Sequence, residues 1–270
     1  MTEIIINADD FGISKGVNEA IIKMHKEGNL QSASLMISGK YVLDAVEKAK
    51  QNPALKIGLH FNLTTGKSIL HPISLPLLVD DNGFFKNGFV KLLSLSIFRR
   101  SQFLHEVEAE MKAQIEICRA YGLKLSHIDG HRHVHYIFGI FSIAENVAKK
   151  ENISRIRVIN ENIFNTLKLL KFPPISGIIK WFILRFLGLL NGASKYAKEN
   201  NSPYFFSIIH SCRITNNLMQ KMNYSNISKL EIMLHPSLLK LDSAEQLDYE
   251  KQHLTSKFRE KETNFIKPKI

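Results

Sequence analysis

The chain has 270 residues, 44% of them hydrophobic and 23% charged. These are ordinary globular proportions, and they exclude a disordered, collagenous or low-complexity protein. A formal net charge of +11 comes from 36 Lys and Arg against 25 Asp and Glu. The positives are dispersed, with Lys168, Lys171, Lys180 and Arg185 in one stretch and Lys251, Lys257, Lys261, Lys267 and Lys269 in another. No helix-turn-helix, RNP or zinc-finger pattern accompanies them, so no nucleic-acid partner is expected. Two cysteines, Cys118 and Cys212, cannot build a disulfide framework and read as small hydrophobes in a reducing compartment. The opening MTEIIINADDFG lacks a basic segment followed by a long apolar run, so a cytoplasmic location is expected.

In chain order, Ile4-Ile5-Ile6 reads as a strand ending in Asn7, Asp9 and Asp10. Val17, Ile21 and Met24 mark a helix that Gly28 stops, and Ser14 suits its N-cap. Ser32 to Ile37 is a second strand, Val42 to Gln51 a helix before Pro53, and Ile57 to Leu63 a third strand. Residues 64–100 carry Gly66, Pro72, Pro76 and an Asp80-Asp81-Asn82-Gly83 turn, and read as a long irregular loop over a site. A long amphipathic helix with Leu104, Val107, Met111, Ile115 and Cys118 on one face follows, with Gly122 beyond its end. Leu125 to His131 is a strand, 139–150 a helix, and Ile156 to Ile159, Tyr204 to Ile209 and Leu230 to Leu234 three more strands. Ser243 to Asn264 reads as a charged helix, with a frayed tail over 261–270. Seven strands alternating with helices predict an α/β architecture with about seven parallel strands in a closed or nearly closed (β/α) barrel. No linker divides the chain, so residues 1–270 are expected to form one domain.

The polar residues that need explaining sit at strand ends, where α/β barrels build their sites. Strand one ends in Asp9-Asp10, strand three contains His60, the strand from Leu125 runs into His127, Asp129, His131, His133 and His135, and the last strand ends in His235-Pro236. The five residues from His127 share one parity, so several can face one interior. A carboxylate with two imidazoles is a common open metal site, and Asp10, His60 and His131 are the expected ligands. Asp9 and Asp10 reach one metal only where the strand ends and turns, leaving one of them to hold a nucleophilic water. The competing view, that this pair caps the following helix, is weakened by Ser14, which is itself a good cap. Two imidazoles and a carboxylate suit Zn²⁺, Co²⁺ or Fe²⁺ on ligand softness.

Six segments in order, from Asn7-Ala8-Asp9-Asp10-Phe11-Gly12 through Gly28 to Met36, Gly58 to Thr64, Asp80 to Phe85, His127 to His135 and Glu231 to Pro236, resemble the YdjC-like carbohydrate deacetylases, the ChbG/HpnK family. The resemblance implies a polysaccharide-deacetylase-like barrel and hydrolysis of an N-acetyl group from an amino sugar. It implies one divalent ion, Mg²⁺ by family habit, at Asp10, His60 and His131. It also implies Asp9 as general base and His235 as general acid. Arg157 and Glu161 match an Arg…Glu pair that would orient Asp9 or the substrate, and His133 and His135 match supporting or substrate contacts rather than ligands. Two positions depart from the family: Ser207 stands where Gly is frequent, and Ile159 where Pro is common.

Residues 165–200 align with no family motif, and within them 173–190 (PPISGIIKWFILRFLGLL) are strongly apolar but interrupted by Lys180 and Arg185. A spanning helix is not expected. A core or lid helix is the plainer reading, and an interfacial helix that grips a bilayer or a lipid-linked glycan is the sharper one. The substrate is accordingly expected to be chitooligosaccharide-like or a lipid-linked amino sugar, and a homodimer stays open. Two rival functions remain: a metal-dependent phosphoesterase, and an inactive carbohydrate- or membrane-binding relative. A two-metal, carboxylate-rich site would mark the first, loss of the acid and base the second.

Overall fold

The computed structural model describes residues 2–169, 174–242 and 256–268. Pro173 and the first part of the expected C-terminal helix, 243–255, lie outside them.

β1 (Glu3–Phe11) leads to α1 (Lys15–Lys26), whose N-cap Ser14 accepts the Val17 N–H through its side chain. β2 (Ser32–Leu35), α2 (Val42–Gln51) and β3 (Lys56–Phe61) follow at the predicted places. Between β3 and β4 the chain is less irregular than expected. It holds a helix, α3 (Phe89–Phe98), before α4 (Arg100–Ala120). Two buried carboxylates of α4 fasten the loop down: Glu110 accepts the Ile69 and Leu70 N–H groups, and Glu106 that of Leu77. Each satisfies loop amides that would otherwise be buried without a partner.

β4 (Leu125–Gly130) precedes α5 (Ile140–Lys150); then come α6 (Ile163–Leu167), α7 (Ile175–Leu190), α8 (Ala193–Glu199), β5 (Tyr204–Phe206), α9 (Asn216–Gln220), β6 (Lys229–Leu234) and α10 (Lys257–Glu262). The six strands form one parallel sheet in the order β4-β3-β2-β1-β6-β5, a half-barrel.

The expectation of about seven strands is corrected here. Ile156 makes a single parallel bridge to Ile128, and Ile156–Ile159 form no strand. Beyond it Asn160 turns its side-chain amide to β5, its oxygen accepting the Phe205 N–H and its Nδ2 donating to the Pro203 carbonyl. A side chain takes the place of a backbone ladder there. β5 is also shorter than predicted, because the chain leaves the strand at Ser207 (φ 117°).

The core is one continuous cluster, running from Ile4, Ile6 and Ala8 of β1 to Ile232 and Leu234 of β6. Gly58 is required by packing, since a Cβ there would lie 2.3 Å from the His127 ring. The tail does not fray over 261–268: Glu262 is buried and Phe265 is 1% exposed in the core.

Candidate active site and metal centre

The site forms at the carboxyl ends of β1, β3, β4 and β6, and the sheet register explains why. Parallel pairing sets Ala8 beside Leu234, so Asp9 and Asp10 emerge next to His235. It also sets His60 beside Asp129. β1 shifts register between Ala8 and Phe11, and Asp10 takes φ 68°. In a regular strand adjacent side chains point to opposite faces; this bulge and left-handed turn bring both carboxylates into one cavity. After Gly130 the chain leaves the strand in a tight turn with Arg132 at φ 51° and His133 at φ 59°. The shared parity of the histidines therefore ends at Asp129.

A cavity of about 480 Å³ is lined by Asp9, Asp10, His60, His131, His133 and His235, with Arg132 and Lys180 at its rim and Phe89, Ile179, Ile183 and Leu184 forming an apolar wall. At its floor the Asp10 carboxylate oxygen Oδ1 lies 3.1 Å from His131 Nδ1 and 3.4 Å from His60 Nε2, and the two ring nitrogens are 3.3 Å apart. Ligand atoms about 2.0–2.2 Å from an ion stand roughly 2.8–3.6 Å from one another in tetrahedral or octahedral geometry. The triangle therefore has the dimensions of one face of a coordination shell. Asp10, His60 and His131 are buried and form a group able to hold a metal ion.

What surrounds the three donors fits the same role. His60 Nδ1 is 2.7 Å from Asp129, which leaves Nε2 facing Asp10 and His131, the arrangement by which a carboxylate orients a metal-binding imidazole. Burial disfavours a proton on His60, yet Asp129 and Asp10 outweigh it and push its pKa up to about 10. The pocket thus favours positive charge at the point where the three donors converge, which a metal ion held there would supply in place of the proton. Arg259 of α10, fully buried, donates from Nη1 to Asp10 Oδ2 at 2.9 Å. Glu262, one turn on, accepts the backbone N–H of His235 and of Ile214. Burial pushes the Glu262 pKa up to about 7.

Asp9 has separate surroundings. Arg157 clamps it with both terminal nitrogens, each 2.8 Å from a carboxylate oxygen, and Asn7 Nδ2 donates to Oδ1 at 2.9 Å. The same guanidinium reaches Asp129 at 2.7 Å and Glu231 at 2.8 Å. Glu231 also pairs with Arg155. Burial raises the Asp9 pKa against the pull of Arg157, and the Asp129 charge adds to the rise. Burial opposes the Asp129 charge too, but Arg157 and His60 prevail and hold its pKa well below the usual carboxylate range. Asp9, His60 and Asp129 also lie close enough to hold an ion. The guanidinium bonded to Asp9 and Asp129 already supplies the cation there.

Of the residues singled out from the sequence, Asp9, Asp10, His60, His131, His133 and His235 meet in the cavity, and Arg157 stands behind Asp9. Glu161 is not paired with Arg157. It braces the turn after β5, accepting the Ile208 and Ile209 N–H groups and the Thr166 hydroxyl. His135 does not line the cavity; it is buried edge-on to Tyr136 at 5.0 Å. Burial keeps both His133 and His135 neutral, the latter's pKa lowered to about 3. Sequence reasoning gave Asp129 and Glu231 no role and did not single out Arg259 or Glu262. Asp129 was in the histidine-rich run and Glu231 four residues before His235, but nothing in the periodicity of 257–262 marks an active-site helix.

The YdjC-like protein model matches residues 3–269, and the chain belongs to that family. A carbohydrate deacetylase of Oceanobacillus iheyensis is 32% identical over 246 residues, covering 90% of this chain and 89% of that protein. One from Clostridium beijerinckii is 31% identical over 238 residues, covering 87% and 82%. A crystal structure from Enterococcus faecalis V583, described as a candidate cellobiose-phosphate cleavage protein, superposes with a TM-score of 0.65 at 25% identity over 99% of this chain and 97% of that one.

Proposed function

We propose that this protein is a metal-dependent carbohydrate deacetylase that hydrolyses the N-acetyl group of an amino sugar, with one ion held by Asp10, His60 and His131. The observation that carries this reading is the pairing of two differently held carboxylates in one cavity. Asp10 faces two imidazoles, whereas Asp9, one residue away, is locked by a bidentate arginine and kept out of the ligand triangle. Family membership and the names of the relatives support the same chemistry.

A divalent ion held by Asp10, His60 and His131 would polarise the acetamide carbonyl and lower the pKa of water toward neutrality. Asp9 takes the proton of the attacking water, and its raised pKa brings it nearer to the working pH of a general base. Arg157 and Asn7 fix the carboxylate plane so that this proton transfer has one geometry. The water oxygen bonds to the carbonyl carbon. As the C–N bond breaks, His235 passes a proton to the departing nitrogen, because an amine anion is too poor a leaving group. Acetate and the free amino sugar result. The cavity is large enough for a single sugar and part of its aglycone. Both a chitooligosaccharide and a lipid-linked amino sugar fit as substrates, and Mg²⁺, Zn²⁺ and Co²⁺ as the ion.

The test is acetate release from N-acetylated sugars, free and lipid-linked, with and without chelator, beside the Asp9→Asn protein. Chelator-sensitive release that is lost in Asp9→Asn is the expected result. Release indifferent to chelator, or retained in the variant, refutes the mechanism. Release of phosphate from phosphosugars instead would support the phosphoesterase alternative, which the guanidinium lodged between Asp9 and Asp129 disfavours.

A further inference from the structure

α7 is apolar on the side that faces away from the molecule. Ile175, Ile179, Phe182, Phe186, Leu189 and Leu190 are all exposed, Phe182 by 59% and Phe186 by 62%. At 100° per residue these six and the exposed Ile183 fall in a stripe about 120° wide. The buried residues Gly177, Leu184, Leu187 and Gly188 lie on the opposite side, Gly177 against the Ile209 backbone and Gly188 against Tyr136. Lys180 borders the stripe on one edge, where it lines the cavity, and Arg185 on the other, where it donates to the Ile159 carbonyl, so both edges of the stripe carry positive charge. α7 contains no Asp or Glu.

The second exposed apolar element shares this character. α3 exposes Val90, Ile97 and Phe98, and from Lys86 to Arg100 the chain carries Lys86, Lys91, Arg99 and Arg100 without one acid. The two helices meet at the cavity, which Phe89 of α3 and Ile179 and Ile183 of α7 line. Ile179 and Ile183 thus belong both to the exposed stripe and to the cavity wall. At sixteen residues α7 rises about 24 Å, short of the ~30 Å hydrocarbon core, and among the described residues no single helix is long and apolar enough to cross a membrane.

We infer that α7 and α3 dock on an anionic lipid surface, with the apolar stripe in the interface and the cavity mouth opening onto it. An acid-free, base-bordered apolar rim is complementary to anionic lipid, and its continuity with the cavity wall lets a lipid-borne head group enter without crossing water. That the entering group is an acetylated amino sugar rests on the deacetylase reading; the docking does not.

Co-sedimentation of the full chain with vesicles of phosphatidylcholine containing phosphatidylglycerol, against phosphatidylcholine alone, tests the docking. The expected result is binding to the anionic vesicles that weakens with salt, and a fall in partition coefficient of at least about tenfold when Phe182→Ser and Phe186→Ser are combined. Both rings are exposed and neither lines the cavity, so acetate release from soluble sugars should not change. No binding of the wild type, equal binding to neutral vesicles, or equal binding of wild type and variant overturns the inference. So does a self-association in analytical ultracentrifugation that the double variant abolishes without any vesicle binding, which would make the stripe an interface between copies. Vesicle binding needs no turnover: Asp9→Asn protein should bind as the wild type does. A failed deacetylase assay with intact vesicle binding would therefore refute the enzymatic reading and leave the docking standing.

Discussion

Two buried arginines hold the adjacent carboxylates of this site: Arg157 as the family resemblance implied, and Arg259 with no motif to announce it. Arg157 holds Asp9 and Arg259 holds Asp10, so adjacent carboxylates are oriented independently. Orienting partners of metal ligands typically contribute 10–100-fold in affinity. Arg259→Met should therefore weaken metal binding by roughly 10–100-fold in a calorimetric titration, and Arg259→Lys, which keeps charge without the fixed fork, should recover part of it. Unchanged affinity would deny Arg259 a positioning role. Ser207 tests a different property. Its φ of 117° is a glycine-like conformation, and its hydroxyl donates to the Met233 carbonyl. Ser207→Ala loses that bond and keeps the strain, whereas Ser207→Gly loses the bond and relieves the strain. The Gly variant should be more stable than the Ala variant by about 1–2 kcal/mol in urea denaturation. The departure from the family's glycine was legible in the sequence; that it falls on a backbone angle suited to glycine was not.

At the scale of elements, the turn after β5 depends on Glu161. Burial pushes its pKa up to about 7 from an ordinary 4.5. An acid whose folded pKa is raised adds stability that is full below about pH 4.5 and is lost as pH rises through about 7. Glu161→Gln keeps an oxygen for the Ile208 and Ile209 N–H groups and removes the charge. Relative to the variant, the wild type should lose up to about 3 kcal/mol between pH 4.5 and pH 8. Denaturation curves at those two pH values check this, and parallel behaviour of the two proteins would refute it. α10 makes the second element-scale case. A chain ending at residue 255 loses Arg259 and Glu262, and with them the Asp10 clamp and the anchor of the His235 backbone. Loss of activity on that truncation is expected, whereas a dispensable tail would leave activity intact. Element existence was largely readable for β1 to β4, because strand and helix periodicities alternate there. α3 was missed because its apolar residues are not segregated on one face: Leu92 and Leu95 are buried while Ile97 and Phe98 are exposed.

For the whole molecule, an ion held there would couple three strands, since Asp10, His60 and His131 come from β1, β3 and the turn after β4, and Arg259 reaches Asp10 from the far end of the chain. Anything that binds only the folded state raises its stability. Saturating metal at about a hundredfold excess over Kd should raise Tm by roughly 5–10 °C, and chelator or His131→Ala should abolish the shift. A Tm indifferent to metal would count against the centre.

Alone, the amino-acid sequence determined the alternating α/β plan, the strand-end position of Asp9, Asp10, His60, His131 and His235, and the family. These follow from local periodicity and from short motifs, in which the informative residues are neighbours in the chain. The tertiary structure decided the rest: six strands rather than seven, Glu161 at a turn instead of beside Arg157, a C-terminal segment packed into the site, and the outward face of α7. Each of these depends on contacts between residues far apart in the chain, Asp10 with Arg259 across 249 positions being the extreme. Burial, which turns a charged side chain from a solvated surface group into a clamp, has no signature in local order.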